Sequence, residues 1–529
     1  MRILVSTALL ATLLLPVHAD QALPNGGVLR NSPLNQLLAL QAGAVCDALI
    51  ARVPTDDTTA IQAALDAASI GDVVHLPRAR QCYVTKLTIP PGVTLDLNGA
   101  IPDNAGGSNY AVTTATVPGL VLERSGTVTL SAGSGLRNGL ILAAQQRTKM
   151  SLPAATAVGW SGDCITAAAP TGRVGTQDYR ASDGYRVENV LCIGQARALV
   201  SQAGSRLSIN KLWFDVNPGG GNAAVTVSGS GDTTILRGIH GWPFATSALT
   251  GHGLRRTGTG ILLSGQNDDT HLDDALFINF DIGADFQGTG NVDVGSLWTD
   301  TAVIIPGTRG VRFGPNTSQV LIKTLWSFHA EIGIVSEASP GNHNLVSQGF
   351  VTDARASAIS ISGGNFSFGR ILTRSLKDNV PALTVAAGSF VNGLLIDENT
   401  TAGAPVIVAP RTTTDQFAGL RVVSPYRAPG TPTFAGSPMT SPVVSAADPL
   451  RLPTSGEGFT VSGRPTFGSI AGGYHDRRIR LRFTGAGHVF PGNILLAGNP
   501  ASRVVSPNTL MELRYDADLG KWVETFFRP

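Results

Sequence analysis

Between Tyr185 and Arg411 apolar and polar residues alternate in short runs, each closed by Gly, Asn or Asp, and the run recurs many times. Alternation of period two belongs to strands with two different faces, and recurrence at a fixed spacing belongs to stacked units. The clearest copies are Leu212-Trp213-Phe214-Asp215, Leu297-Trp298-Thr299-Asp300, Leu325-Trp326-Ser327-Phe328 and Phe350-Val351-Thr352-Asp353, with looser copies ending at Ile193, Arg374 and Asp397. Most neighbouring copies lie ~20–28 residues apart, shorter than a βα unit or a propeller blade, and none carries a helical period. The pattern predicts an all-β chain wound as a right-handed parallel β-helix. With Leu212, Leu297 and Leu325 pointing inward, alternation predicts two outward ladders. One is aromatic (Trp213, His240, Trp298, Trp326) and one is polar (Asp215, Asp300, Asp353, Arg374, Asp397).

Ahead of the repeats the period changes. In the stretch Thr55 to Ala68, Ile61, Ala64, Leu65 and Ala68 form one helical stripe, with Thr55 or Asp57 as the cap. After Gly71 strands follow at Val73-Val74-His75-Leu76-Pro77, Cys82-Tyr83-Val84 and Pro91-Gly92-Val93-Thr94-Leu95-Asp96-Leu97-Asn98-Gly99. A short helix that plugs the open end of a β-helix covers core and strand edges that would otherwise be exposed. This opening, D-D-T-x-A-I-Q-x-A-L-D, then V-x-L-P, then G-V-T-L, resembles that of the pectate-lyase-like superfamily over Gly43 to about Gly99. The resemblance implies the fold, whereas the superfamily spans glycoside hydrolases, polysaccharide lyases, epimerases and phage tailspikes. Cys46-Asp47-Ala48 stands where the family usually has Gly-Asp-Gly.

Strands are expected at Gly119 to Glu123, Thr127 to Leu130 and Leu140 to Ala143. From Ile239 to Phe286 the coil is interrupted by His240-Gly241-Trp242-Pro243-Phe244, a loop with His252, Arg255 and Arg256, and the polar turn Asn267-Asp268-Asp269-Thr270-His271. That succession is similar to the central coils of tailspikes and related bacterial depolymerases. Residues 424–448, rich in Pro, Ser, Thr and Gly, read as a linker, and residues 449–529 as a small β-module that ends in a hairpin turned at Asp516 to Gly520. The module is similar to those of tailspike-type proteins, which implies end-capping, sugar binding or a homotrimer. The expected division is therefore 1–19 signal peptide, 20–54 N-terminal segment, 55–423 β-helix, 424–448 linker and 449–529 module. The first 19 residues have a basic Arg2, an apolar Ile3 to Leu15 too short to span a bilayer, and cleavage after Ala19, so a secreted or periplasmic protein is expected.

Composition narrows the partners. Gly at 62 of 529 residues and only 14% charged side chains suit tight turns and buried strands, and a solenoid of this length need not be several domains. A net charge of +2 without a basic run argues against nucleic acid, and no later apolar run reaches membrane length. Export makes disulfides available to the four cysteines: Cys46 with Cys82 would staple the N-terminal cap, Cys164 with Cys192 would join early coils, and four buried free thiols are the alternative. No metal cluster, cofactor motif, phosphate loop or Ser-His-Asp order is present, so neither metal nor cofactor is expected.

The two ladders carry the candidate chemistry. Trp213, His240, Trp298, Trp326 and Arg374 are the candidate glycan contacts, since aromatic faces stack on sugar rings. Asp300 and Asp353, placed two coils apart in one column, are the candidate acid and base of an inverting glycoside hydrolase, with Asp215, His329, Glu331 and the Asp268 to Asp274 cluster behind them. Two alternatives stand beside this polysaccharide depolymerase. One is a polysaccharide lyase in which His240, His329, Lys323 or Arg374 serves a uronate, and the other is a non-catalytic glycan-binding adhesin.

Overall fold

Parallel pairing carries the alternation through the whole repeat region. The computed structural model describes residues 21–22, 28–29, 39, 42–48, 51, 53–78, 80–99, 119–146, 160–167, 184–202, 206–229, 233–244, 255–301, 306–339, 342–374, 380–386, 389–392, 395–399, 407–408, 417–418, 421–423, 434–435, 443–452, 458–473 and 477–529. The expected signal peptide and most of the linker lie outside these. In the first long sheet the strands Arg186–Ile193, Ser208–Asp215, Thr234–Gly241, Thr270–Ile278, Val292–Asp300, Val320–Phe328, His343–Thr352 and Asn365–Arg374 pair in sequence order, all parallel. The strands between them build a second parallel sheet, of thirteen strands among the described residues, from Leu87–Ile89 to Phe434–Ala435. From Arg186 to Arg374 each coil contributes one strand to each sheet, which is a parallel β-helix, right-handed as parallel crossovers are.

Register fixes which side chains meet. Leu212, Ile239, Ala275, Leu297 and Leu325 stack inward and are buried in one continuous core. Midway along the earlier long strands Asn138, Asn189, Lys211, Gly238 and Asp274 have positive φ, which bends each strand around a corner of the coil. Beyond the next corner the coil is tight. A Cβ on Gly283 would lie 2.3 Å from Thr299 Cγ2, and one on Gly310 would lie 2.0 Å from Ser327 Oγ and 2.4 Å from the Gly333 carbonyl oxygen. One added methyl must therefore push backbone as well as side chain. Gly310→Ala is expected to cost about 1–3 kcal/mol by overpacking, read as a lowered urea midpoint.

At the N-terminal end the helix Thr58–Ala67 buries Ile61, Ala64 and Leu65 against the first coils, as the stripe predicts. Its start differs from expectation. Asp57 holds the cap position, but its carboxylate accepts the backbone N–H groups of Val45 and Cys46, at 2.7 and 3.0 Å, rather than those of the helix. Asp56 instead accepts the Thr58 N–H at 2.9 Å. Both cysteine pairings form, Cys46–Cys82 and Cys164–Cys192, and all four cysteines are buried. They close loops of 36 and 28 residues, so opening either one is expected to cost about 3–4 kcal/mol. Denaturant midpoints of Cys82→Ser and Cys192→Ser variants check this.

The described residues between 443 and 528 build a second, separate core around Leu481, Phe483, Met511, Leu513 and the fully buried Trp522, whose indole N–H donates to the Ile470 carbonyl at 3.2 Å. The hairpin of Leu510–Asp516 with Lys521–Arg528 turns where the sequence places it. The strand Val443–Ser445 pairs with Gly458–Ser462, so three residues assigned to the linker belong to this sheet. No helix among the described residues is long and apolar enough to cross a membrane.

Candidate active site

The outward columns of the first sheet can be read from the register. The aromatic one runs Trp213, His240, Leu276, Trp298, Trp326, Phe350 and Leu372, so the four aromatic residues expected there share a column, joined by Leu276 and Phe350. Its two halves differ. Trp213 is only 6% exposed, stacked on His240 at 5.8 Å and on Phe244 at 5.8 Å. With Leu140, Leu191 and Ile193 it forms an external apolar cluster that Trp242 also packs on, which removes it as a sugar contact. Trp298 is 42% exposed, stacked on Trp326 at 5.7 Å and in contact with Phe328 at 5.2 Å, so the open platform lies three coils further on. His240 is mostly covered and reaches Asp274 at 3.6 Å; its hydrogen bond holds the Asp274 carboxyl below the usual carboxylate range.

The polar column departs from its sequence alignment. Asp215 lies beside Ile193, yet both Asp215 and its partner Arg256 are completely buried, 2.6 Å apart. Arg256 also donates to the Ile278 carbonyl at 3.0 Å and lies over the Phe280 ring. Asp215 is thus a structural ion in the wall and not a catalyst. Further on, Asp300 pairs with Phe328, and Phe328 with Thr352, so the partner of Asp300 in the column is Thr352 and not Asp353. Arg374 closes its strand opposite Thr352; its side chain lies outside the described ones. Asp397 pairs with Leu372 and falls in the aromatic column.

Asp353 sits one residue past the strand, at the corner, as His329 does one coil earlier. His329 has φ 57° and Asp353 φ 56°, the left-handed conformation that His and Asp tolerate better than most residues. This corner conformation supplies what the column does not. His329 Nδ1 lies 2.9 Å from Asp300 Oδ1, and Nε2 lies 3.6 Å from Asp353 Oδ2. Two carboxyls therefore face opposite nitrogens of one imidazole, all three partly open to solvent. An imidazole interposed between two carboxyls suits the wider ~6.5–9.5 Å spacing of an inverting pair better than the ~5–5.5 Å of a retaining one.

The surrounding corner loops fix the trio. Thr352 Oγ1 donates to Asp353 Oδ2 at 2.9 Å. The Glu331 carboxylate accepts the Gly307 N–H, its own N–H donates to Thr308 Oγ1 at 3.0 Å, and its carbonyl accepts from Arg355 and Ala356. Glu331 thus ties three successive loops into one wall. Among the described residues no Lys or Arg forms an ion pair with Asp300, Asp353 or Glu331, and Lys323 is held by Asp293 at 2.7 Å. In the Asp268 to Asp274 cluster, His271 lies between Asp269 at 3.0 Å and Asp293 at 3.8 Å, and Asp274 bonds His240. These groups belong to an earlier part of the wall, and no ion pair joins them to the trio among the described residues. What the sequence reading missed is His329 as the link; the signal available was a polar residue capable of positive φ directly after the strand.

No protein-family model and no curated protein matches the chain. Among solved structures it is similar to the A-module of the mannuronan C-5 epimerase AlgE4 of Azotobacter vinelandii, at 14% identity and TM-score 0.44 over 76% of this chain and 99% of that one. It is also similar to the family 28 exopolygalacturonase of Yersinia enterocolitica, at 12% identity and TM-score 0.30 over 76% and 78%. A third likeness is to the receptor-binding domain of the siphovirus 9NA tailspike, at 10% identity and TM-score 0.30 over 88% and 83%. The chemistry rests on the site's own residues.

Proposed function

We propose that this protein is an exported polysaccharide depolymerase acting as an inverting glycoside hydrolase, with Asp300, His329 and Asp353 as its catalytic group. The observation that carries the reading is the placement of two carboxyls on opposite nitrogens of one imidazole beside the exposed Trp298. Asp300 and His329 Nδ1 are hydrogen-bonded, so a proton held between them can be passed outward, while Nε2 faces the Asp353 carboxyl. Asp300, adjoining the aromatic platform, gives its proton to the glycosidic oxygen as the C–O bond breaks. Asp353, oriented by the hydrogen bond from the Thr352 hydroxyl, takes a proton from the water that attacks the opposite face of the sugar. Trp298 offers the ring face on which a sugar stacks. Export is supported by the N-terminal pattern and by two disulfides, which persist in oxidising compartments.

The arrangement favours a neutral sugar at the cleaved bond. A uronate carboxylate would meet the three carboxyls of Asp300, Asp353 and Glu331, which disfavours the lyase reading. Incubation of the protein with a panel of bacterial and plant glycans separates the readings. New reducing ends without ultraviolet absorbance are expected. Absorbance from an unsaturated product would replace the hydrolase by a lyase, and binding without either product would leave an adhesin.

A further inference from the structure

The outer face of the C-terminal sheet gathers cations in a regular grid. Along Arg478–Phe483, Ile479, Leu481 and Phe483 are buried while Arg478, Arg480 and Arg482 are exposed. On the antiparallel neighbour, Arg514 lies opposite Arg478, Glu512 opposite Arg480 and Leu510 opposite Arg482. The next strand sets Arg528 beside Leu510 and the 47% exposed Phe526 beside Glu512. Residues that face each other across strands share a side of the sheet. Five arginines and an exposed phenylalanine therefore occupy one face, where the described carboxylates are Glu512, which Arg480 holds at 2.6 Å, and Asp516 at the strand end beside Lys521.

Two features separate this face from an ordinary solvated one. Arg478 stands directly opposite Arg514, an arrangement of like charges that costs stability. The charge is also concentrated here: residues 449–529 carry ten Lys and Arg against six Asp and Glu, in a chain whose net charge is only +2. Strands ~4.8 Å apart and alternate residues ~6.8 Å apart present a flat lattice of guanidinium groups at sub-nanometre spacing. Guanidinium forks pair bidentately with carboxylate or sulfate, and Phe526 adds an apolar surface for a sugar ring.

We propose that this face binds a linear anionic polysaccharide bearing carboxylate or sulfate groups and tethers the protein to it, independently of the catalytic centre. The carboxylate-lined centre and the arginine face then divide the labour by charge: one accepts a neutral sugar, the other grips the acidic polymer around it.

The test is affinity electrophoresis of the full-length protein in gels containing polygalacturonate, heparin, neutral dextran or duplex DNA. Retardation by polygalacturonate or heparin is expected, whichever is stronger telling carboxylate from sulfate, with none by dextran. Combined Arg478→Gln, Arg482→Gln and Arg528→Gln should weaken it at least tenfold at unchanged circular dichroism, and the single Arg478→Gln and Arg528→Gln variants should each weaken it in part. Arginine stays protonated, so retardation should be constant from about pH 5 to 9. The assignment is overturned by absence of retardation in both polyanions, by retardation that survives all the substitutions, or by equal retardation in dextran. Equal affinity for DNA would mean a generic polyelectrolyte surface, and a changed oligomeric state in the variants would mean a subunit interface; either also overturns it.

Discussion

Asp353→Asn and Asp300→Asn should each lower turnover by about 10²–10⁴-fold, the range that removal of a positioned general acid or base produces. The fold has no reason to follow. Asp300, His329 and Asp353 are all partly exposed, at side-chain exposures of 24%, 36% and 37%, and Asn accepts the left-handed backbone of position 353. Thermal midpoints should therefore stay close to that of the unmodified protein and glycan binding through Trp298 should persist. His329→Ala should also cut turnover, since it removes the ring that holds both carboxyls, whereas Trp298→Ala should act chiefly through KM. Normal turnover in both Asn variants would remove the pair from the mechanism and pass the role to Glu331.

The largest effect on stability is expected at Asp215. Its carboxylate and the Arg256 guanidinium are both completely buried and 2.6 Å apart, so Asp215→Ala leaves a buried cation without its counter-ion. Breaking such a pair typically costs about 3–5 kcal/mol. That is a large share of the ~5–15 kcal/mol that holds a typical domain together. Replacing both partners by apolar residues, Asp215→Leu with Arg256→Met, should recover most of the loss, because the desolvation of two charges disappears with their attraction. Urea midpoints of the single and double variants measure both statements. A single variant as stable as the parent would mean that water or a rearranged side chain reaches Arg256.

The fold was legible because strand alternation and coil recurrence are written in every turn. Leu212, Leu297 and Leu325 sit at equivalent inward positions, and the register that follows from them places Trp213, His240, Trp298 and Trp326 in one column. Depth was not legible in the same way. Trp213 and Trp298 have the same alternation, but Phe244 and Trp242 cover the first and nothing described covers the second, a difference made by a loop rather than by the strand. Asp215 has the pattern of an outward residue and is buried because Arg256, 41 residues later, reaches it.

The proposed pair of carboxyls is brought together for a reason different from the one the sequence suggests. The alignment set Asp300 and Asp353 in one column, and the strand register shows that they differ by one position. They still converge, because the left-handed corner at His329 and Asp353 turns those side chains toward Asp300. Corner geometry depends on backbone dihedrals that alternation does not encode, which is why His329 ranked behind the carboxylates in the sequence and stands between them in the structure. The arginine face shows the converse: Arg478, Arg480 and Arg482 alternate plainly in the sequence, but their alignment with Arg514 and Arg528 exists only once the sheet is paired.

The claim that two separated carboxyls perform hydrolysis with a water between base and sugar is tested most directly by the stereochemistry of the first product. Proton NMR recorded within the first minutes of digestion, before the released reducing end mutarotates, reports its anomeric configuration. The carboxyl separation across His329 predicts the anomer opposite to that of the cleaved bond. Release of the same anomer would contradict it, requiring a covalent intermediate and a closer pair of carboxylates than Asp300 and Asp353.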